Sequence, residues 1–213
     1  MISKSHKFII LAIAIFLLGI VTFLWFQVRP TEKYHDIEGL LWPKVQAITD
    51  FQLINHRNEP FNRESLLGAW SLMFFGYTHC PDICPTTLLV LKEVKAQIAQ
   101  STEYSADTQY IFVSVDGERD TPEKLAEYIH YFDPGFIGAT GSASQVNVLT
   151  RQLGIVYIRK PSQTAGQYFI DHSSAILLVN PQGEMVGQFS APHLAQTIVS
   201  QYSKMRQFLL EQS

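Results

Sequence analysis

The sequence predicts an α/β fold in which a mixed central sheet is flanked by helices on both faces, and three observations carry that prediction. Two uninterrupted apolar runs, 69–77 and 110–115, read as strands covered on both faces. Each is followed by a segment with apolar residues at helical spacing. Two later apolar runs, 175–179 and 185–189, are joined through Asn180-Pro181-Gln182-Gly183, which makes a hairpin.

The remaining elements follow in order. Phe51-Gln52-Leu53-Ile54 and the Glu59-Pro60-Phe61 region, with Asn55 and Asn58 between them, suggest a short hairpin. A helix over 85–100 is marked by Leu88, Leu91, Val94 and Ile98. Thr121-Pro122-Glu123 opens another, with an N-cap, a proline at the first position and an early acid. Ser142 caps a third helix that ends at Gly154. A short strand over 155–158, a polar loop over 160–167 and an amphipathic helix over 194–210 complete the chain. Such a sheet binds ligands beyond the carboxyl ends of its strands.

Before this domain, residues 8–26 read FIILAIAIFLLGIVTFLWF, an uncharged run of about the 20 residues a membrane-spanning helix needs. No small-residue cleavage site follows it, so an uncleaved anchor is expected rather than a signal peptide. Lys4 and Lys7 precede the run, whereas Arg29 and Lys33 behind it are mixed with Glu32, Asp36 and Glu38. The positive-inside rule then leaves the N-terminus in the cytoplasm. The expected division is a cytoplasmic N-terminus 1–7, an anchor 8–28, a tether 29–45 and one domain 46–213. A bacterial inner membrane with the domain in the periplasm fits this order. The net charge of −3 offers no basic field for a phosphate backbone, which excludes nucleic acid as a partner.

Both cysteines of the chain lie in residues 76–85, GYTHCPDICP, at a strand-to-helix junction. A residue before proline is pushed out of the α region, so Cys80 and Cys84 are both expected to be extended. Pro85 then takes the first helical position and Cys84 the N-cap, where the helix dipole lowers its thiol pKa. Two thiols this close serve either a metal or a disulfide.

His172, in Asp171-His172-Ser173-Ser174, stands as a candidate third donor if its loop folds over the helix start. Two thiolates and an imidazole form a soft set suited to Cu(I) or Cu(II), and with a water they also match zinc. Asp171 either orients the ring or faces water. His79 adjoins Cys80 but points the other way along an extended chain, and His6, His35, His56, His130 and His193 have no partners at metal spacing. Asp116 and Asp120 offer an acidic rim or a solvated helix entry. Ser173 and Ser174 form no recognisable nucleophile arrangement.

GYTHCPDICP, then VSVDGERDTP with Ser114 in it, then YFIDHSSAILLVNPQG headed by Tyr168, resemble the signature segments of the Sco/SenC family of copper-binding, thioredoxin-fold proteins. The resemblance runs from about residue 51 to 208 and extends to the anchor. It implies a thioredoxin-like fold and copper bound by Cys80, Cys84 and His172. It also implies an acidic segment near the site at Asp116 and Asp120. Gly117 stands where the family often has proline, and Asn180 where it often has aspartate. The implied task is maturation of the binuclear copper centre in cytochrome c oxidase subunit II.

Two functions follow. One is a membrane-anchored copper metallochaperone that passes copper, as Cu(I) or Cu(II), to that subunit and receives it from a periplasmic copper donor. The other is a thiol-disulfide reductase, in which Cys80 and Cys84 act catalytically as a reversible disulfide, recharged by a thiol reductant, and keep the partner's cysteines reduced. A thiol peroxidase is disfavoured, because Thr78 is the only hydroxyl near the thiols and His172 would have no role.

Overall fold

The computed structural model describes residues 13–23, 41–100, 102–162 and 167–211. Residues 13–23 form helix α1, with every side chain exposed. No helix among the described residues is long and apolar enough to cross a membrane. The expected anchor over 8–28 lies partly outside the described residues, and 1–7 and 29–40 lie wholly outside them, as do His6 and His35.

From residue 41 onward the chain builds β1 (Leu41–Ala47), β2 (Gln52–Asn55), β3 (Pro60–Asn62) and a 3-10 turn (Arg63–Leu66). There follow β4 (Trp70–Gly76), α2 (Ile83–Ile98), α3 (Thr102–Ser105), β5 (Thr108–Ser114), α4 (Pro122–Phe132), β6 (Ile137–Thr140) and α5 (Ala143–Gln152). The last elements are β7 (Tyr157–Pro161), β8 (Tyr168–His172), β9 (Ile176–Val179), β10 (Glu184–Phe189) and α6 (Ala195–Leu210).

Eight strands form one sheet in the order β1-β10-β9-β4-β5-β6-β2-β3. Strands β4, β5 and β6 run parallel, with Phe74 beside Phe112 and Gly76 beside Ser114, and all the other pairs are antiparallel. Every residue of β4 is buried, Ser71 among them, as expected of a strand covered on both faces. Side-chain alternation splits the core into two layers. Met73, Phe75, Ile111, Val113 and Leu177 pack with Val146 and Leu149 of α5 and Ile170 of β8. On the opposite face Phe74 and Phe112 meet ring to ring at 6.0 Å, and Phe112 meets Tyr128 of α4 at 5.7 Å. Burying each such large apolar side chain contributes about 1.5–3 kcal/mol.

The caps of α4 and α5 sit where the sequence puts them: the Thr121 and Ser142 side chains accept from Lys124 and Gln145 backbone N–H groups. Gly154 ends the α5 region with φ +66, the left-handed conformation that glycine adopts without strain.

Two expectations need correction, and one strand was not foreseen. The tether expected over 29–45 gives way at Leu41 to β1, an edge strand paired with β10. The polar loop expected from 160 begins later, because β7 runs to Pro161 and pairs with β8 in a separate two-stranded sheet. That second strand was not foreseen, since Tyr168-Phe169-Ile170-Asp171-His172 mixes polar and apolar residues on both faces.

Candidate metal centre

At the end of β4 the chain turns, and Cys80 N–H donates to the Tyr77 carbonyl at 3.1 Å. Helix α2 then begins at Ile83, with Asp82 as its N-cap. Cys84 therefore lies in the first helical turn, and the expectation that it is extended and caps the helix is wrong. Proline's missing N–H is tolerated anywhere in the first turn, where those donors have no intrahelical partner, so Pro85 does not have to open the helix. Cys84 is fully buried, while Cys80 is half-buried. Gly76 makes room for the inner sulfur: a Cβ there would lie 2.5 Å from Cys84 Sγ and 2.8 Å from the Phe112 ring.

His172, the last residue of β8, brings Nε2 to 3.3 Å from Cys84 Sγ. Its Nδ1 lies 2.9 Å from the Ser173 carbonyl oxygen, which can only accept. Nδ1 thus donates to that carbonyl, and Nε2 is the nitrogen that faces the sulfurs. The edges of Phe74 and Tyr77 hold the ring at centroid distances of 6.0 and 5.9 Å. The ligand atoms of Cys80, Cys84 and His172 all lie within 4.8 Å of one another. Metal–ligand bonds of about 2.0–2.3 Å place donors no more than about 4.6 Å apart around one ion, so the three fit a single soft metal with little adjustment.

The two thiols differ in protonation. The hydrogen bond from Cys84, outweighing burial and helped by His172, lowers the Cys80 pKa to about 4. Burial first, and then the neighbouring Cys80 sulfur, raise that of Cys84. The expectation of a dipole-activated Cys84 is thereby reversed: the activated sulfur is Cys80, outside the helix, and desolvation overrides the dipole at Cys84. Burial presses His172 toward neutrality, but hydrogen bonds to Cys80 and the Ser173 carbonyl, with the charge on Cys80, raise its pKa. Metal-free, the centre is a Cys80 thiolate sharing the proton of a Cys84 thiol.

Asp116 and Asp120 are neither an exposed rim nor a solvated helix entry; both are buried. Asp120 accepts from Thr78 N–H at 2.9 Å, Thr78 Oγ1 at 2.6 Å and Ser114 Oγ at 2.6 Å, locking the turn that leads to Cys80. The Thr78 hydroxyl is committed to this lock. Asp171 pairs with Lys160 at the surface, and the Ser173 carbonyl rather than Asp171 orients the imidazole. His79 turns away toward Thr78 and Lys124. His56 meets His130 edge to face at 5.1 Å, and His193 bonds the Ser174 carbonyl. Gly76, Tyr77 and Arg119 are contributors that sequence reasoning missed; the tyrosine directly before Thr78-His79-Cys80 was the available signal for one of them. An open cleft of about 390 Å³ separates Cys80 and Asp82 from Phe169 and Asp171, giving access to the outer sulfur.

A thiolate, a thiol and an imidazole at the strand-end edge of an α/β sheet define a copper-binding protein of thioredoxin-like fold. The family model SCO1/SenC matches residues 43–207, and the chain belongs to that family. An SCO2-like protein of Rickettsia prowazekii is 39% identical over 147 residues, covering 68% of this chain and 70% of the relative. The mitochondrial SCO2 homolog of Mus musculus is 37% identical over 153 residues, which are 70% of this chain and 58% of that protein. Among solved structures, copper-bound ScoI of Arabidopsis thaliana superposes with a TM-score of 0.70 at 31% identity, over 76% of this chain and 99% of that one. Copper-bound yeast Sco1 gives 0.70 at 28% identity, over 76% and 89%.

Proposed function

We propose that this protein is a membrane-anchored copper metallochaperone that holds one copper ion on Cys80, Cys84 and His172 and delivers it to the binuclear centre of cytochrome c oxidase subunit II. The observation that carries the reading is the convergence of the three donors beside an open cleft. Copper is cargo, and a three-donor site suits its transfer. A thiolate of the acceptor enters the open position before a resident ligand leaves, so the ion is never bare.

The apolar run 8–26 and the basic residues before it support an inner-membrane anchor with the domain in the periplasm. A C-terminal reporter active only in the cytoplasm would overturn that topology. For the site, copper titration of the reduced protein should give one tightly bound ion that His172→Ala loses. Equal binding by the variant sinks the proposal.

A second reading rests on the unequal thiols. As a reductase, the Cys80 thiolate attacks a partner disulfide, forming a mixed disulfide and releasing one partner thiolate. Cys84 then gives up its proton and attacks the Cys80 sulfur, releasing the second partner thiol and leaving a Cys80–Cys84 disulfide for a thiol reductant to reopen. This activity should vanish in Cys80→Ser and largely survive in His172→Ala.

A further inference from the structure

Among the described residues, the hairpin that carries His172 shares no ladder with the eight-stranded sheet, so the placing of this ligand depends on how the hairpin is attached. Cross-strand pairing puts Tyr157, Arg159, Tyr168, Ile170 and His172 on one face, and on that face Ile170 is buried. Tyr168 stands four residues before His172, about 13 Å along the strand, at the far end of a lever.

Tyr168 is held at several points. Its hydroxyl donates to buried Asp116 at 2.7 Å, and its carbonyl accepts from Arg119 at 3.2 Å. The guanidinium carbons of Arg119 and Arg159 lie 3.6 and 4.1 Å from its ring centroid. Two planar cations cannot share one face at those distances, so the ring is gripped from both sides. Arg119 pairs with Asp116, and Arg159 with Glu118 at 3.0 Å, which matches two positive charges with two negative ones. Arg119 also reaches the Tyr77 ring at 5.6 Å, and the Tyr77 hydroxyl accepts the Ile170 N–H at 3.3 Å. Tyr77 is in turn one of the two rings against His172.

We infer that Tyr168 is a positioning residue for the metal centre: gripped between Arg119 and Arg159 and tied to Asp116, it fixes the hairpin so that His172 stands over the dithiol. Its relevance to copper rests on the reading of His172 as a ligand. The grip itself belongs to the metal-free protein.

Hydrogen exchange of the full chain in detergent, without metal, compares the parent with Tyr168→Leu and Tyr168→Phe. Tyr168→Leu should speed exchange of the β8 amides by about ten- to a hundredfold while β4 and β5 amides keep parental rates. Tyr168→Phe, which keeps both cation contacts and loses only the Asp116 bond, should fall between. Cu(I) competition with a chromophoric chelator should weaken in the same order. Parental β8 exchange in Tyr168→Leu, or equal loss of protection in β4 and β5, overturns the inference. A parent that binds no copper overturns the proposed function instead, and the exchange comparison still decides the grip.

Discussion

Nε2 of His172 lies 3.3 Å from the sulfur of Cys84, a contact made across 88 residues of sequence. The partner sulfur is the buried one, which keeps its proton in the metal-free state because burial and the adjacent Cys80 disfavour a second negative charge. Metal binding must displace that proton.

Copper affinity should therefore rise with pH. Cys80, with its pKa near 4, is already ionised above about pH 5 and releases nothing there. Cys84 gives up one proton per ion, and His172 gives up a further fraction until the pH passes its raised pKa. Competition titrations between pH 5 and 8 should show at least about a tenfold gain in affinity per pH unit. A flat profile would mean that Cys84 does not ligate.

Thiol reactivity should separate the two cysteines. Cys80 should be alkylated at mildly acidic pH and Cys84 should resist, as mass spectrometry of the modified peptide would show. The same shifts govern stability of the reduced protein. Cys80 binds its proton more weakly folded than unfolded, so its contribution is complete above pH 9 and drains away as the pH falls toward 4. Cys84, shifted upward, contributes below its unfolded pKa, and its share is lost above that value. Denaturant melts of Cys80→Ser should lack the acid-side slope.

Gly76→Ala should damage both fold and site. The added carbon would overlap Cys84 Sγ and the Phe112 ring, so the helix start must shift. The expected loss is about 1–3 kcal/mol in urea unfolding, with weaker copper binding. Parental affinity would show that the sulfur has room to move.

Asp120→Asn should loosen the approach to Cys80. The carboxylate accepts three short hydrogen bonds while wholly buried, and the amide would turn a donor toward one of those donors. The cost should be about 1.5–3 kcal/mol. A change below about 0.5 kcal/mol, typical of surface substitutions, would refute the lock.

Much of the domain was legible because its signals are local. The apolar runs became β4 and β5, and the caps at Thr121 and Ser142 stand as read. Cys80 and Cys84 announced themselves by spacing. His172 did not, since a lone histidine has no spacing to betray it; the resemblance of its segment identified it. The protonation pattern was misread because burial is a tertiary property: nothing in Cys84-Pro85 says that the sulfur will sit over Gly76, beneath the sheet edge. Asp116 and Asp120 were illegible for the same reason, as acids in a polar stretch look solvated until three donors close around one of them. Gly117 is clearer with the fold in hand. A Cβ there would fall 1.8 Å from the Gly141 carbonyl oxygen, so the proline common at this place in the family cannot occupy this loop as it runs here.

The single proton held between Cys80 and Cys84 has an electrostatic consequence for the charge of the loaded centre. Before loading, the dithiol carries one negative charge; when Cu(I) enters and the proton leaves, two thiolates and one monovalent cation carry one negative charge again. Above the raised pKa of His172, where the imidazole is neutral, this exchange leaves the net charge of the site unchanged. A divalent ion would change that sum by one unit. With two thiolates and a neutral imidazole, Cu(I) leaves the site singly negative and Cu(II) leaves it neutral, so the charge at the cleft differs with the ion that is loaded.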